Sequence, residues 1–180
     1  MNWPNRLTIV RIALIPLLIV LMQFENTACR LLALLVFLAA AATDWLDGWM
    51  ARKYHIVTNF GKFLDPVADK LLVLSTMIAL AGLGRFPAWA CIVVLFRELS
   101  VDGLRLVAAE QGRVIAAGKL GKIKTTVQMI TLIVYLCENW LIGVYPMDQV
   151  LLWITVGMTL WSGVDYFLRN RDVLKEGGKA

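Results

Sequence analysis

Long apolar runs make up most of the chain, and short polar stretches separate them. About 20 apolar residues in a helix are enough to cross the roughly 30 Å hydrocarbon core of a bilayer. The runs predict six such helices, at 6–24, 29–51, 65–83, 86–110, 122–143 and 147–168. Two glycines and a proline within 82–87 predict a tight turn between the third and fourth helices. The polar stretches 52–64 and 111–121 are predicted as loops, and 169–180 as a polar tail.

Composition supports the same class of protein. Of the 180 residues, 59% are apolar and only 17% are charged, whereas about 25% is usual for a soluble domain. So few charges do not cover the surface of a soluble domain of this size. The sequence therefore predicts an all-α integral membrane protein with a single domain over 1–180. It excludes a soluble globular protein, a disordered tail and a secreted disulfide scaffold.

The placement of the basic residues predicts the topology. There are 18 Lys and Arg against 13 Asp and Glu, a net charge of +5. With six spans, sixteen of the 18 basic residues fall on one side, and only Arg30 and Arg85 fall on the other. Because cytoplasmic loops are enriched in Lys and Arg, both termini are expected in the cytoplasm. Topology explains the basic excess, so no nucleic-acid partner is expected.

Four aspartates lie at the predicted cytoplasmic ends of the second and third helices. Asp44 and Asp47 are three residues apart, and Asp65 and Asp69 are four apart, with Pro66 expected in the first turn of the third helix. Carboxylates at membrane depth are costly, so a functional site is the default hypothesis. Oxygen ligands without Cys or His favour Mg²⁺, Mn²⁺ or Ca²⁺ over zinc.

Two other interpretations of the aspartates stay open at this point. Each carboxylate pair by itself is compatible with helix caps or solvated helix ends. A proton-coupled or cation transporter also places acids in a membrane, although transport sites tend to lie near the midplane. Gly48 and Gly61 would let a ligand approach the backbone, and the guanidinium of Arg52 can bind an oxyanion. These neighbours favour a site for a phosphate-containing substrate.

Taken together, the residues resemble the signature of the CDP-alcohol phosphatidyltransferases. All eight fixed positions are present, in the pattern Asp44-x2-Asp47-Gly48-x2-Ala51-Arg52-x8-Gly61-x3-Asp65-x3-Asp69. The resemblance implies an enzyme that displaces CMP from a CDP-linked lipid with a hydroxyl acceptor, using two divalent ions. It implies that Asp44, Asp47, Asp65 and Asp69 bind Mg²⁺ or Mn²⁺ and that Asp69 is also the general base. Contacts with the CDP-lipid are implied for Gly48, Arg52, Thr58 and Gly61.

The N-terminal segment adds further candidates. Asn5 and Thr8 are compatible with a cap and a helix face, or with binding of the CDP-lipid. Arg11 lies one third of the way into the first span, where an arginine needs an anionic partner or a route to the interface.

A basic cluster after the fourth span suggests the acceptor. A phosphorylated acceptor needs fixed cations, for which Arg105, Lys122 and Lys124 are the candidates. The Lys run is also compatible with topology alone, and Arg97 with Glu98 is compatible with a local structural pair. The whole pattern is similar to the phosphatidylglycerophosphate synthases, which transfer the phosphatidyl group of CDP-diacylglycerol to glycerol 3-phosphate.

That resemblance implies a homodimer in a bacterial plasma membrane, with the active site facing the cytoplasm. Other acceptors within the same chemistry are inositol phosphate, serine and phosphatidylglycerol.

Overall fold

The computed structural model describes residues 3–54, 59–116, 118–141 and 146–175, without the side chains of 3–5, 44, 45, 47–54, 59–63, 119, 138–141, 174 and 175. These ranges contain seven helices and no strand. The helices are α1 (Trp3–Met22), α2 (Thr27–Tyr54), α3 (Asn59–Gly82), α4 (Ala88–Glu110), α5 (Lys119–Leu141), α6 (Met147–Arg169) and α7 (Arg171–Lys175).

The chain divides into two compact units, and α1, α2, α3 and the C-terminal part of α5 form the first. In this unit α1 packs against both α2 and α3. Leu18, Phe37 and Leu72 are completely buried or nearly so, and so are the small residues Ala40 and Ala68. Small side chains let helices approach closely, so the backbones of α2 and α3 can lie near α1.

Local signals set the start of α2 and the end of α3. Asn26 caps α2, because its side-chain oxygen accepts a hydrogen bond from the backbone N–H of Ala28 at 2.8 Å. After α3, Gly84 has a positive φ of 71°, and the backbone N–H of Arg85 donates to the carbonyl of Leu80 at 2.9 Å. Glycine adopts this conformation without steric cost. The predicted turn between the third and fourth helices is confirmed.

The predicted loop at 52–64 is wrong for most of its length. Helix α2 continues to Tyr54 and α3 begins at Asn59, so polar residues extend both helices beyond their apolar runs. Pro66 consequently lies inside α3 and not in its first turn. Proline is tolerated inside membrane helices, where neighbouring helices and local adjustments satisfy the freed backbone groups.

The second unit contains α4, the N-terminal part of α5, α6 and α7. Its apolar core comprises Val101, Leu104, Ala108, Tyr166 and Val173. The polar tail predicted after 168 is partly wrong, because it includes the short helix α7. Burying Val173 against α4 and α6 orders this segment, which has no long apolar run to reveal it.

The distribution of polarity agrees with the predicted all-α membrane protein. Large apolar side chains are exposed along each of the six long helices, while Thr76, Gln128, Thr131 and Thr155 are buried. Among the described residues, two helical segments are long and apolar enough to cross a membrane, Leu120–Cys137 and Met147–Arg169. The number of six spans and the cytoplasmic position of both termini stay predictions.

Candidate active site

Two of the predicted aspartates lie one helical turn apart on α3. Asp65 and Asp69 share a face of the helix because residues four apart are neighbours on its surface. The hydroxyl of Thr8 on α1 donates a hydrogen bond to Asp65 Oδ1 at 2.8 Å. Thr8 is completely buried, so this bond fixes one oxygen of Asp65 against the interior of the first unit.

Arg11 provides the corresponding contact for Asp69. Its Nη1 lies 2.5 Å from Asp69 Oδ1, and the Arg11 side chain is 0% exposed while that of Asp69 is 44% exposed. Of the two alternatives for Arg11, an anionic partner or a route to the interface, the structure shows the anionic partner. Its Nε also lies 3.4 Å from the hydroxyl oxygen of Thr43 on α2, which in turn donates to the carbonyl of Ala40 at 2.7 Å.

Helix geometry explains why these contacts form together. Thr8 and Arg11 are three residues apart on α1, and Asp65 and Asp69 are four apart on α3. Spacings of three and four both place side chains on a single face. When α1 and α3 pack, successive turns therefore bring a hydroxyl to one carboxylate and a guanidinium to the next.

The structure does not describe the side chains of the remaining predicted site residues of this region. Helix α2 contains Asp44, immediately after Thr43, but neither that side chain nor that of Asp47 is described. The same holds for Thr58 and for the surroundings of Asn5, Gly48, Arg52 and Gly61. Their assigned roles stay predictions.

The described carboxylates suit a hard divalent cation. A carboxylate offers two oxygens with about four lone-pair positions, so the hydrogen bond at each Oδ1 leaves capacity for a cation. Oxygen donors without thiolate or imidazole match Mg²⁺ or Mn²⁺. Among the side chains the structure describes, no three Asp, Glu, His or Cys form a metal-binding group; that set does not include Asp44 and Asp47.

A second charged cluster lies within the second unit. Glu98 Oε1 accepts hydrogen bonds from Arg97 Nη1 at 3.0 Å and from the ammonium of Lys124. Lys124 is buried. Arg97 packs closely against α6, because a Cβ added to Gly163 would lie 3.2 Å from Arg97 Cγ. The local pair of Arg97 and Glu98 is thus present, and it extends to one of the cations predicted to bind the acceptor.

The other two cations predicted to bind the acceptor, Arg105 and Lys122, have surroundings different from those of Lys124. Arg105 donates from Nε to the hydroxyl of Tyr166 at 3.0 Å, and its Cζ lies 5.5 Å from the centre of the Tyr166 ring. This contact holds the guanidinium by a hydrogen bond and a cation–π interaction. Lys122 is exposed. An acceptor role for Arg105, Lys122 and Lys124 stays a prediction.

Comparison with known proteins identifies the family of the chain. The model of the CDP-alcohol phosphatidyltransferase family matches residues 1–161. The chain belongs to the CDP-alcohol phosphatidyltransferase family. It is therefore an enzyme of this class, and the match includes the whole motif from Asp44 to Asp69.

Individual members of the family are similar over almost the whole chain. A Bacillus subtilis protein named CDP-diacylglycerol–glycerol-3-phosphate 3-phosphatidyltransferase is 43% identical over 97% of each chain. A Rickettsia typhi protein of the same name is 39% identical over 92% of this chain and 95% of its own. A probable phosphatidylglycerophosphate synthase of Mycobacterium tuberculosis is 36% identical over 96% of this chain and 83% of its own. The predicted resemblance is confirmed.

Sequence reasoning missed three partners of charged site residues: Thr43, Glu98 as the partner of Lys124, and Tyr166. Thr43 directly precedes the motif, which was the available signal for it. Glu98 and Lys124 are 26 residues apart, and Arg105 and Tyr166 are 61 apart. Only the packing of separate helices brings such pairs together.

Proposed function

We propose that the chain transfers the phosphatidyl group of CDP-diacylglycerol to glycerol 3-phosphate, giving phosphatidylglycerophosphate and CMP. The observation that carries the proposal is the 43% identity, over 97% of both chains, to the Bacillus subtilis protein named for this reaction. The geometry supports it, because α1 holds two motif carboxylates of α3 in fixed positions.

Asp69 is the proposed general base. The acceptor hydroxyl loses a proton as its oxygen forms a bond to the phosphatidyl phosphorus. The bond from this phosphorus to the bridging oxygen of the diphosphate breaks, and CMP leaves. A base must be within hydrogen-bond reach of the hydroxyl, and the 44% exposure of the Asp69 side chain allows a substrate to approach it. Asp69 then returns the proton to water.

Asp44, Asp47, Asp65 and Asp69 are the residues proposed to hold two Mg²⁺ or Mn²⁺ ions. When bound, such ions neutralise the diphosphate and stabilise charge on the attacking and leaving oxygens. The oxygen-only donor set supports this proposal.

The CDP-lipid is proposed to contact the residues that surround the aspartates. Arg52 would bind a phosphate through its planar guanidinium, and Gly48 and Gly61 would allow close approach to the backbone. Because Thr8 is completely buried, it would act on the CDP-lipid through its hydrogen bond to Asp65. Asn5 and Thr58 complete the proposed set.

The acceptor phosphate is proposed to bind Arg105, Lys122 and Lys124. The contact with Tyr166 holds the guanidinium of Arg105 in place, which lowers the entropic cost of binding a phosphate. Lys124 shares Glu98 with Arg97, so this trio carries a net charge of +1, which favours an anion nearby.

We further propose a protein of the bacterial plasma membrane with six spans, both termini in the cytoplasm and the active site on that side. The sixteen-to-two distribution of Lys and Arg supports this topology, and the apolar exterior supports the membrane location. A homodimer is proposed from the resemblance to the family.

The proposed function is tested by CMP release from CDP-diacylglycerol by purified protein in detergent, with four acceptors supplied separately. We expect glycerol 3-phosphate to be preferred over inositol phosphate, serine and phosphatidylglycerol. Preference for another of the four would overturn the acceptor. Detergent contains no sealed membrane, so the assay detects catalysis and not transport. Absence of CMP release with all four acceptors would overturn the enzyme activity and favour the transporter alternative.

A further inference from the structure

The structure connects the motif aspartates with residues of α1 that the motif does not include. Arg11 precedes the motif by 33 residues and ion-pairs with its last aspartate. We propose that Arg11 is a positioning residue for Asp69, holding one carboxylate oxygen inside the first unit so that the other faces the substrate. The proposal deepens the proposed function and rests on it.

The burial of the two partners is strongly unequal. Arg11 has a fully buried side chain, whereas nearly half of the Asp69 side chain is exposed. Removing one partner of a buried ion pair is strongly destabilising, so the pair with Asp69 stabilises the buried guanidinium. Asp69 Oδ1 contacts this buried partner, while the 44% exposure of the side chain leaves room for a substrate to reach the carboxylate.

A second contact restricts the guanidinium itself. Arg11 Nε lies 3.4 Å from Thr43 Oγ1, and the Thr43 hydroxyl donates its own hydrogen to the carbonyl of Ala40. The oxygen of Thr43 is therefore an acceptor for Arg11. A planar fork can contact α2 and α3 at once, whereas the compact ammonium of a lysine acts as a single point charge.

The consequence is a carboxylate whose direction the chain sets without a metal ion. Efficient proton transfer requires a base already in place. Displacement of a catalytic group by about 1 Å can reduce turnover by about 10²-fold. Loss of Arg11 would allow Asp69 to rotate away from that position while leaving the carboxylate itself present.

Thermal unfolding in EDTA tests the pairing without metal or turnover. Asp69→Asn removes a carboxylate that ion-pairs with the buried Arg11, so we expect its Tm to fall by about 6 °C or more. In the double variant Arg11→Met/Asp69→Asn the buried cation is gone, and we expect at least half of this loss to be recovered. Additive losses in the double variant would overturn the pairing.

Turnover with metal present tests the positioning role. We expect Arg11→Met to lower kcat by about 10²-fold while both KM values change less than the turnover, and Arg11→Lys to restore part of kcat. Since Arg11 acts through Asp69, Arg11→Met should add no further loss to Asp69→Asn. Unchanged kcat in Arg11→Met, or a further loss in the double variant, would overturn this role.

Thr76→Val is the matched control. Thr76 is a completely buried residue of α3 whose hydroxyl donates to the carbonyl of Leu72 at 2.7 Å, so the change removes a buried hydrogen bond away from Asp69. It should keep wild-type kcat; a loss equal to that of Arg11→Met would show a merely structural effect. No CMP release by the wild type would overturn the proposed function, whereas additive losses of Tm would overturn only the pairing.

Discussion

Replacing Glu98 by Gln removes the carboxylate that two cations of the second unit share. The side chains of Arg97, Glu98 and Lys124 are only 12%, 12% and 4% exposed. Removing one partner of a buried ion pair costs about 3–5 kcal/mol, because it leaves charge without compensation. At about 2–4 °C per kcal/mol for a chain of this size, Glu98→Gln should lower Tm by about 6–20 °C.

Thermal unfolding of the purified protein in detergent measures this shift. Arg169→Ala is the matched control, because it removes an ion pair with Asp165 whose arginine is 73% exposed; such pairs contribute at most about 1 kcal/mol. Adding Lys124→Met to Glu98→Gln removes one buried cation and should raise Tm again. A Glu98→Gln loss no larger than that of Arg169→Ala, or a double variant that melts below Glu98→Gln, would refute the reasoning.

Two further predictions concern α6 and its neighbours. Gly163→Ala places a Cβ 3.2 Å from Arg97 Cγ, and the ion pair with Glu98 restrains Arg97. The overpacking cost of about 1–3 kcal/mol should offset the gain of about 1 kcal/mol in helix propensity, so this variant should be less stable than Gly157→Ala. Gly157→Ala meets nothing within 4 Å and should gain up to about 1 kcal/mol from helix propensity; equal Tm values for the two variants would contradict this. Thr131→Val breaks the buried 2.6 Å hydrogen bond to Thr155 and should cost about 0.5–1.5 kcal/mol. Adding Thr155→Val should recover most of that loss in the same melting assay, and a further fall would contradict the assignment.

The spacing of the motif residues predicted the class of enzyme and the four aspartates of the candidate site. All eight fixed positions of the family signature are present, and the family model covers them. The position of Arg11 within an apolar run indicated either an anionic partner or a route to the interface. The sequence did not identify Asp69 as that partner, because the choice among four aspartates depends on how α1 packs against α3.

Helix boundaries were less predictable than the positions of the six long helices. Apolar runs located the six long helices, but α2 and α3 extend into the polar stretch 52–64. Hydrophobicity marks the part of a helix that is in an apolar environment, whereas backbone hydrogen bonding continues through polar residues. The short helix α7 was missed for a related reason, since contacts of Val173 with residues distant in sequence stabilise it.

The lipid product formed by the purified protein tests the central claim most directly. The protein would be supplied with CDP-diacylglycerol and isotopically labelled glycerol 3-phosphate, and lipid and CMP would be quantified by mass spectrometry. We predict labelled phosphatidylglycerophosphate in a one-to-one ratio with CMP, and a nearly complete loss of both products in Asp69→Asn. CMP without labelled lipid, or labelled lipid formed at the wild-type rate by Asp69→Asn, would contradict the account.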